Sequence, residues 1–133
     1  MELAAKEELI LKAKEARKLA QARYSEFKVG AALITENDEI FTGCNVESSS
    51  YGLTICAERV ALTKAISEGA SKFKAIAIYA KDGYICPPCG ACRQLLYDYA
   101  PDIDVILSDG KEQQVINLKD LLPFAFDDSQ LGK

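Results

Sequence analysis

Strand-like and helix-like segments alternate through the middle of this chain, and that alternation limits its possible folds more than any other feature. Residues 29–35 (VGAALIT) and 40–44 (IFTGC) are apolar, β-favouring runs separated by the turn signal ENDE, and so short a connection makes them an antiparallel hairpin. CAERVALTKAISEG follows a Ser/Gly/Thr-rich stretch and stops at Gly69, which reads as a helix with glycine at its C-terminal end. FKAIAIYA is a strand. A further helix begins after Pro87 and Pro88, runs through CGACRQLLYDYA and ends before Pro101. The strand IDVIL, the turn SDGK, the strand QQVINL and a short helix LKDLLP capped by Asn117 complete the chain. At the N-terminus, Leu3, Leu9, Ile10, Ala13, Ala16, Leu19 and Ala20 approximate one face of a helix over residues 3–23.

The order is therefore αββαβαββα, without internal repeat, low-complexity tract or linker, and 133 residues suit one domain spanning 1–133. Strand, helix, strand, helix, strand predicts right-handed parallel crossovers, and the hairpins add antiparallel strands. The expected fold class is α/β: a three-layer α/β/α arrangement around a five-stranded mixed sheet. Both internal helices are expected to start after central strands, and in such sheets ligand sites form where strands end and helices begin.

Charge removes several classes of function. The chain has 16 basic and 20 acidic residues, and only four of the basic residues are arginines. A net charge of −4 argues against gripping a nucleic-acid backbone. No apolar run reaches the roughly 18 residues of a membrane span, and the acidic amphipathic N-terminus lacks a signal-peptide core. The expected location is the cytoplasm, with no nucleic-acid or membrane partner.

There is no histidine, so no Ser-His-Asp or Cys-His arrangement can exist. There are five cysteines, Cys44, Cys56, Cys86, Cys89 and Cys92; an odd number without a secretory signal favours metal or thiol chemistry over a disulfide framework. Cys56 opens one internal helix, and Cys89 and Cys92 share one face at the start of the other. Three thiolates from two segments suit zinc and leave the fourth tetrahedral position open, the arrangement of a catalytic site. Three thiolates also weaken the electrophilicity of the metal. The positive ends of both helices and Arg59, one turn after Cys56, would compensate, with Arg93 a weaker candidate for the same role. Glu58, two residues after Cys56, is the best-placed proton shuttle in a chain without histidine.

Other readings of the cysteines compete. Cys86, Cys89 and Cys92 spell Cys-x-x-Cys-x-x-Cys, a spacing found around iron–sulfur clusters, but no fourth cysteine follows nearby. A closed structural zinc recruiting Cys56 or Cys44 as fourth ligand would make the protein a non-catalytic metal binder; the two prolines after Cys86 tend to keep that thiol off the ligand face. Glu58 has no role in either arrangement. A thiol redox protein would place its Cys-x-x-Cys after the first strand of a thioredoxin-like order, which is absent. Cys44 reads as a small buried strand residue. Cys-Ala-Glu followed some thirty residues later by Pro-Cys-x-x-Cys corresponds to the signature of zinc-dependent base deaminases, in the variant with three cysteine ligands.

FKVGAAL (27–33), GCNVESSSYGLTICAER (43–59) and CPPCGACRQLL (86–96) resemble the three motif blocks of the small cytidine deaminases, and the likeness runs over nearly the whole chain. Cys-Ala-Glu in place of His-x-Glu points to the homotetrameric branch acting on free nucleosides. The resemblance implies a cytidine-deaminase-like fold and hydrolysis of cytidine and deoxycytidine to uridine and deoxyuridine with release of ammonia. It implies one Zn2+ per subunit held by Cys56, Cys89 and Cys92, with Glu58 as proton shuttle. It further implies that Asn45 and Glu47 hold the sugar hydroxyls and that Phe27 packs against the pyrimidine. Phe126 would reach over a neighbouring subunit's pocket, a role Phe124 could fill instead. Lys28 stands where the family commonly has proline, a surface-loop departure. The nearest competing deaminase acts on a modified aminonucleoside such as blasticidin S; Asn45, Glu47 and SYGLTICAER favour plain cytidine.

Overall fold

The computed structural model describes residues 1–132; Lys133, the last residue of the domain expected over 1–133, lies outside the described residues. The elements are α1 (Leu3–Arg17), β1 (Gly30–Thr35), β2 (Ile40–Cys44), α2 (Ala57–Ser67), β3 (Phe73–Tyr79), α3 (Gly90–Tyr99), β4 (Asp104–Ser108), β5 (Gln113–Asn117) and α4 (Leu118–Leu121), in the expected order αββαβαββα. The strands form one mixed sheet ordered β2-β1-β3-β4-β5, in which only β3 and β4 pair in parallel.

Alternation along the strands divides the core into two layers. Ala31, Leu33, Ile76, Ile78, Val105 and Leu107 point to the face covered by α2 and α3. Ala32, Ile34, Ala75, Ala77 and Ile106 point to the face where Leu9, Ile10 and Ala13 of α1 pack. Covering both faces explains why β1 is buried at every position and reads as an apolar run from Gly30 to Ile34, closed by the buried Thr35.

Two expectations are corrected. The first helix ends at Arg17 instead of continuing to residue 23. Past Arg17, Gln21 leaves the helix to pair with the segment around Val46: its N–H donates to the Asn45 carbonyl at 2.9 Å and its carbonyl accepts from Glu47 N–H at 2.9 Å. This pairing overrides the helical period, and Leu19, placed on the apolar face by that period, is 72% exposed.

The second correction is that β2 is the sheet edge, not a central strand. Its hairpin partner β1 lies between it and β3, so the β2–α2–β3 connection passes over a strand while β3–α3–β4 joins neighbours. Because β2 and β3 are each antiparallel to β1, they run in the same direction. Both therefore deliver their following helix at the same end of the sheet, despite the intervening strand.

Glycines let the helices approach. A Cβ on Gly30 would lie 1.9 Å from the Ala13 carbonyl oxygen of α1, and one on Gly43 would lie 2.4 Å from the Ala57 carbonyl oxygen and 2.5 Å from the Ala61 nitrogen of α2. These are backbone atoms that can yield only if the helix lifts. Gly43→Ala is therefore expected to cost about 3 kcal/mol, at the upper end of ordinary overpacking, and to displace the start of α2. Urea unfolding and zinc content of the purified variant measure both; an unchanged midpoint would contradict this account of α2 docking.

Candidate metal centre and active site

The site begins with two helix starts. Cys56 caps α2 with extended backbone (φ −72°, ψ 154°), and Cys89 caps α3 in nearly the same conformation (φ −69°, ψ 166°). Each carbonyl accepts the first helical hydrogen bond, from Val60 N–H and Arg93 N–H respectively. Neither side chain is used as a hydrogen-bonding cap, which leaves both sulfurs free beside the positive ends of the helices. Cys92, fully buried, turns back from the first turn of α3 to join them.

The three sulfurs lie within 4.8 Å of one another. Cys56 and Cys89 are 4.0 Å apart, and Cys89 and Cys92 are 3.4 Å apart. Tetrahedral zinc with bonds near 2.3 Å spaces its sulfurs by about 3.8 Å, so the donor set fits this ion. Arg59 Nη2 donates to the Cys56 sulfur at 3.6 Å and to the Thr54 carbonyl at 3.1 Å, as expected of a group that compensates thiolate charge. Hydrogen bonding from the Cys92 thiol, together with Arg59, lowers the Cys56 pKa to about 5. The Cys92 pKa is correspondingly raised, by its hydrogen bond to Cys56 and by burial. These contacts favour the thiolate form of Cys56, the form that binds metal.

Arg93 does not serve the sulfurs. Its guanidinium donates to the Pro88 carbonyl at 2.7 Å and the Leu121 carbonyl at 2.8 Å, tying the start of α3 to α4. Cys86 lies outside the three-sulfur cluster, so the structure supplies no fourth sulfur from it. It is instead a half-buried wall residue of the adjoining cleft, where burial and the nearby negative charge of Glu58 push its thiol up to about 11. Cys44 is half-buried at the end of β2 rather than buried, and also stands outside the cluster.

Glu58 is only 5% exposed. Ala57, Glu58, Ala61, Leu62 and Ala65 form the buried face of α2, so the carboxyl group occupies a position where the helix period calls for an apolar side chain. Burial raises its pKa to about 7, with the charge of Cys56 acting in the same direction. It lines a 290 Å³ cleft together with Phe27, Asn45, Glu47, Cys56 and Cys89.

The two polar residues expected to hold a sugar are also built into the walls. Asn45 Oδ1 accepts from Val29 N–H at 2.9 Å, and its Nδ2 donates to the Phe27 carbonyl at 2.8 Å. Glu47 Oε1 accepts from the N–H groups of Tyr24 and Ser25, each at 3.0 Å, and its Oε2 accepts from the Ser25 hydroxyl. The Ser25 hydroxyl, foremost among these donors, holds the Glu47 pKa below the usual carboxylate range. Ser25 and Thr54, which sequence reasoning missed, line the cleft as well. Their only signal was proximity to the motif residues, since an isolated serine or threonine in a loop usually reports turn chemistry.

The aromatic residues of the tail are elsewhere. Phe126 is 56% exposed and lines a separate 810 Å³ cleft beside Gln94 and Tyr97, while Phe124 is fully exposed with a left-handed φ of 54°. Neither lines the cleft of its own chain that contains Glu58.

Residues 3–107 match the family described as the cytidine and deoxycytidylate deaminase zinc-binding region. The chain belongs to this family. A cytidine deaminase of Sporosarcina psychrophila is 42% identical over 128 residues, covering 95% of this chain and 94% of that protein. One from Halalkalibacterium halodurans is 47% identical over 120 residues, covering 89% and 91%. The crystal structure of a cytidine deaminase from Burkholderia pseudomallei matches with a TM-score of 0.87 at 45% identity, covering 95% of this chain and all of that one (100%). The family assignment and the sulfur geometry agree: zinc is bound by three cysteines, and Cys56, Cys89 and Cys92 are the three whose sulfurs the fold brings together.

Arg59→Ala is expected to lower zinc affinity by about tenfold, the lower end of what losing a group that supports a ligand costs. Competition with a chromogenic chelator measures this. Unchanged retention would show that the helix ends alone balance the thiolates.

Proposed function

We infer that the protein is a zinc-dependent cytidine deaminase, hydrolysing cytidine and deoxycytidine to uridine and deoxyuridine with release of ammonia, a reaction of pyrimidine salvage. The observation that carries this reading is a carboxyl group more than nine-tenths buried, Glu58, in the cleft bordered by a three-sulfur metal site. A structural zinc needs no such group, and a buried carboxyl without a task is costly.

Zinc held by Cys56, Cys89 and Cys92 supplies the activation of a water molecule as nucleophile. Glu58 takes a proton from that water and delivers one to ring nitrogen 3 as carbon 4 becomes tetrahedral. It then takes the proton of the hydroxyl gained at carbon 4 and passes it to the exocyclic amino group, so that the carbon–nitrogen bond breaks, ammonia departs and carbon 4 becomes a carbonyl. A pKa of about 7 suits both halves of this exchange near neutral pH. Arg59 keeps the Cys56 sulfur anionic while these transfers proceed.

Phe27 provides the apolar wall against which the pyrimidine packs. Asn45 retains one Nδ2 hydrogen and spare acceptor capacity beyond its bonds to residues 27 and 29, and Glu47 retains lone pairs beyond its three hydrogen bonds. Both can therefore bind sugar hydroxyls without losing the contacts that fix them, which orients the base toward Glu58. An anionic Glu47 also repels a phosphate, so free nucleosides are preferred to nucleotides.

The same reading includes a single catalytic domain and a homotetramer in which Phe126, or Phe124, reaches a neighbour's cleft. Exposure of both rings on the tail supports it. Light scattering at working concentration is expected to give four chains per particle; a monomer would contradict the assembly.

The test of the activity is loss of cytosine absorbance on incubation with cytidine, with CMP and blasticidin S as comparison substrates. Cytidine is expected to turn over fastest. Glu58→Ala should retain zinc and fold while kcat falls by at least about a hundredfold, the lower range for a lost acid–base group. No cytidine turnover at one zinc per chain, or near-normal activity in Glu58→Ala, would reject the mechanism.

A further inference from the structure

We propose that Tyr84, in the loop between β3 and the cysteines of α3, is a positioning residue of the nucleoside cleft, its ring bracing that of Phe27. The inference rests on the cytidine reading above. The backbone of Phe27 is well fixed: its carbonyl accepts from Asn45 Nδ2 at 2.8 Å, and its N–H donates to Ser25 Oγ at 3.0 Å. Those bonds set where the residue stands but leave the ring free to turn about its side-chain torsions. Phe27 is only half-buried, with one side open to the cleft. The brace comes from Tyr84, whose ring centroid lies 5.8 Å away at an interplanar angle of 86°, the favoured perpendicular arrangement.

The loop that carries Tyr84 is built to hold it. Lys81 and Tyr84 form an isolated antiparallel bridge, and Gly83, with φ of 80°, donates its N–H to the Asp109 carbonyl at 2.8 Å. Asp82 accepts from the Tyr79 hydroxyl at 2.5 Å, anchoring the turn to the end of β3. Lys81 Nζ lies 5.8 Å from the Tyr84 ring centroid, on the cation–π side of that ring. Tyr84 itself is 44% exposed, so filling the core is not its main task. Its hydroxyl has no hydrogen bond among the described residues. The ring, rather than the oxygen, is what the arrangement uses.

A wall that packs on the base contributes equally to substrate and transition state, so loosening it raises KM and leaves kcat in place. The experiment compares zinc-loaded wild type, Tyr84→Ala and Tyr84→Phe with cytidine. Tyr84→Ala is expected to raise KM about three- to tenfold, the effect of losing one aromatic pair, with kcat within about twofold. Tyr84→Phe is expected to restore KM. Calorimetric affinity for cytidine, measured in a Glu58→Ala background with and without Tyr84→Ala, should weaken by the same factor without any turnover. If Tyr84→Ala does not fold, Tyr84→Leu keeps apolar bulk without a ring and carries the comparison. Wild-type turnover with KM unchanged in the ring-less variant, or an equal defect in Tyr84→Phe, overturns the role of Tyr84 alone. Absence of wild-type turnover strikes the cytidine reading first and this inference with it.

Discussion

Three sulfur atoms from two chain segments must meet at bond-forming spacing around one ion, and most of the architecture serves that constraint. Cys56 and the Cys89–Cys92 pair belong to helices separated by the whole of β3. Their meeting depends on β2 and β3 running in the same direction, a consequence of both pairing antiparallel to β1. It also depends on α2 lying close enough to the sheet for its first residue to reach α3. Gly43 supplies that closeness: any larger residue there would strike the α2 backbone one residue beyond Cys56. A glycine on an edge strand thus bears on metal geometry without coming near the metal.

Charge in the site is arranged with the same economy. Cys56 accepts from the Cys92 thiol and from Arg59 beside the positive end of α2, which shifts it toward its anionic form. Glu58 faces the opposite pressure, since burial and the anionic sulfur both favour its protonated form. Two positions a residue apart at the start of α2 therefore hold a cysteine shifted toward its charged form and a carboxyl group shifted toward its neutral one. Divergent shifts of this kind are what the proposed mechanism needs to separate a ligand from a proton carrier in a chain with no histidine to do either job.

Much of this was legible in the sequence, for identifiable reasons. The element order survived because Pro87, Pro88, Gly69 and Asn117 punctuate the helices and each strand carries its own apolar run. The meeting of Cys56, Cys89 and Cys92 was legible because helix starts following strands that run the same way are a topological site, whatever lies between the strands. The end of α1 was missed because the backbone pairing of Gln21 with residues 45–47 is a tertiary event that leaves no mark on local periodicity. The place of β2 at the edge was missed for a related reason: periodicity identifies a strand but not its neighbours, and the hairpin return inserts β1 into the crossover. Arg93 was misjudged because adjacency to Cys92 says nothing of rotation about the helix, which turns its guanidinium toward α4.

Asn45 and Glu47 show why a site of this size holds its shape. Each uses about half of its hydrogen-bonding capacity on backbone groups of residues 24–29, the segment that carries Phe27, and Glu47 also accepts from the Ser25 hydroxyl. A side chain hydrogen-bonded to the segment that carries Phe27 cannot relax independently of it, so under the proposed reading sugar recognition and base packing form one mechanical unit. Polar networks at a site rigidify it when their members find partners, and here the backbone of residues 24–29 and the Ser25 hydroxyl hold Asn45 and Glu47 without a nucleoside. The cleft is thereby organised in advance, and binding need not meet the entropy of ordering it.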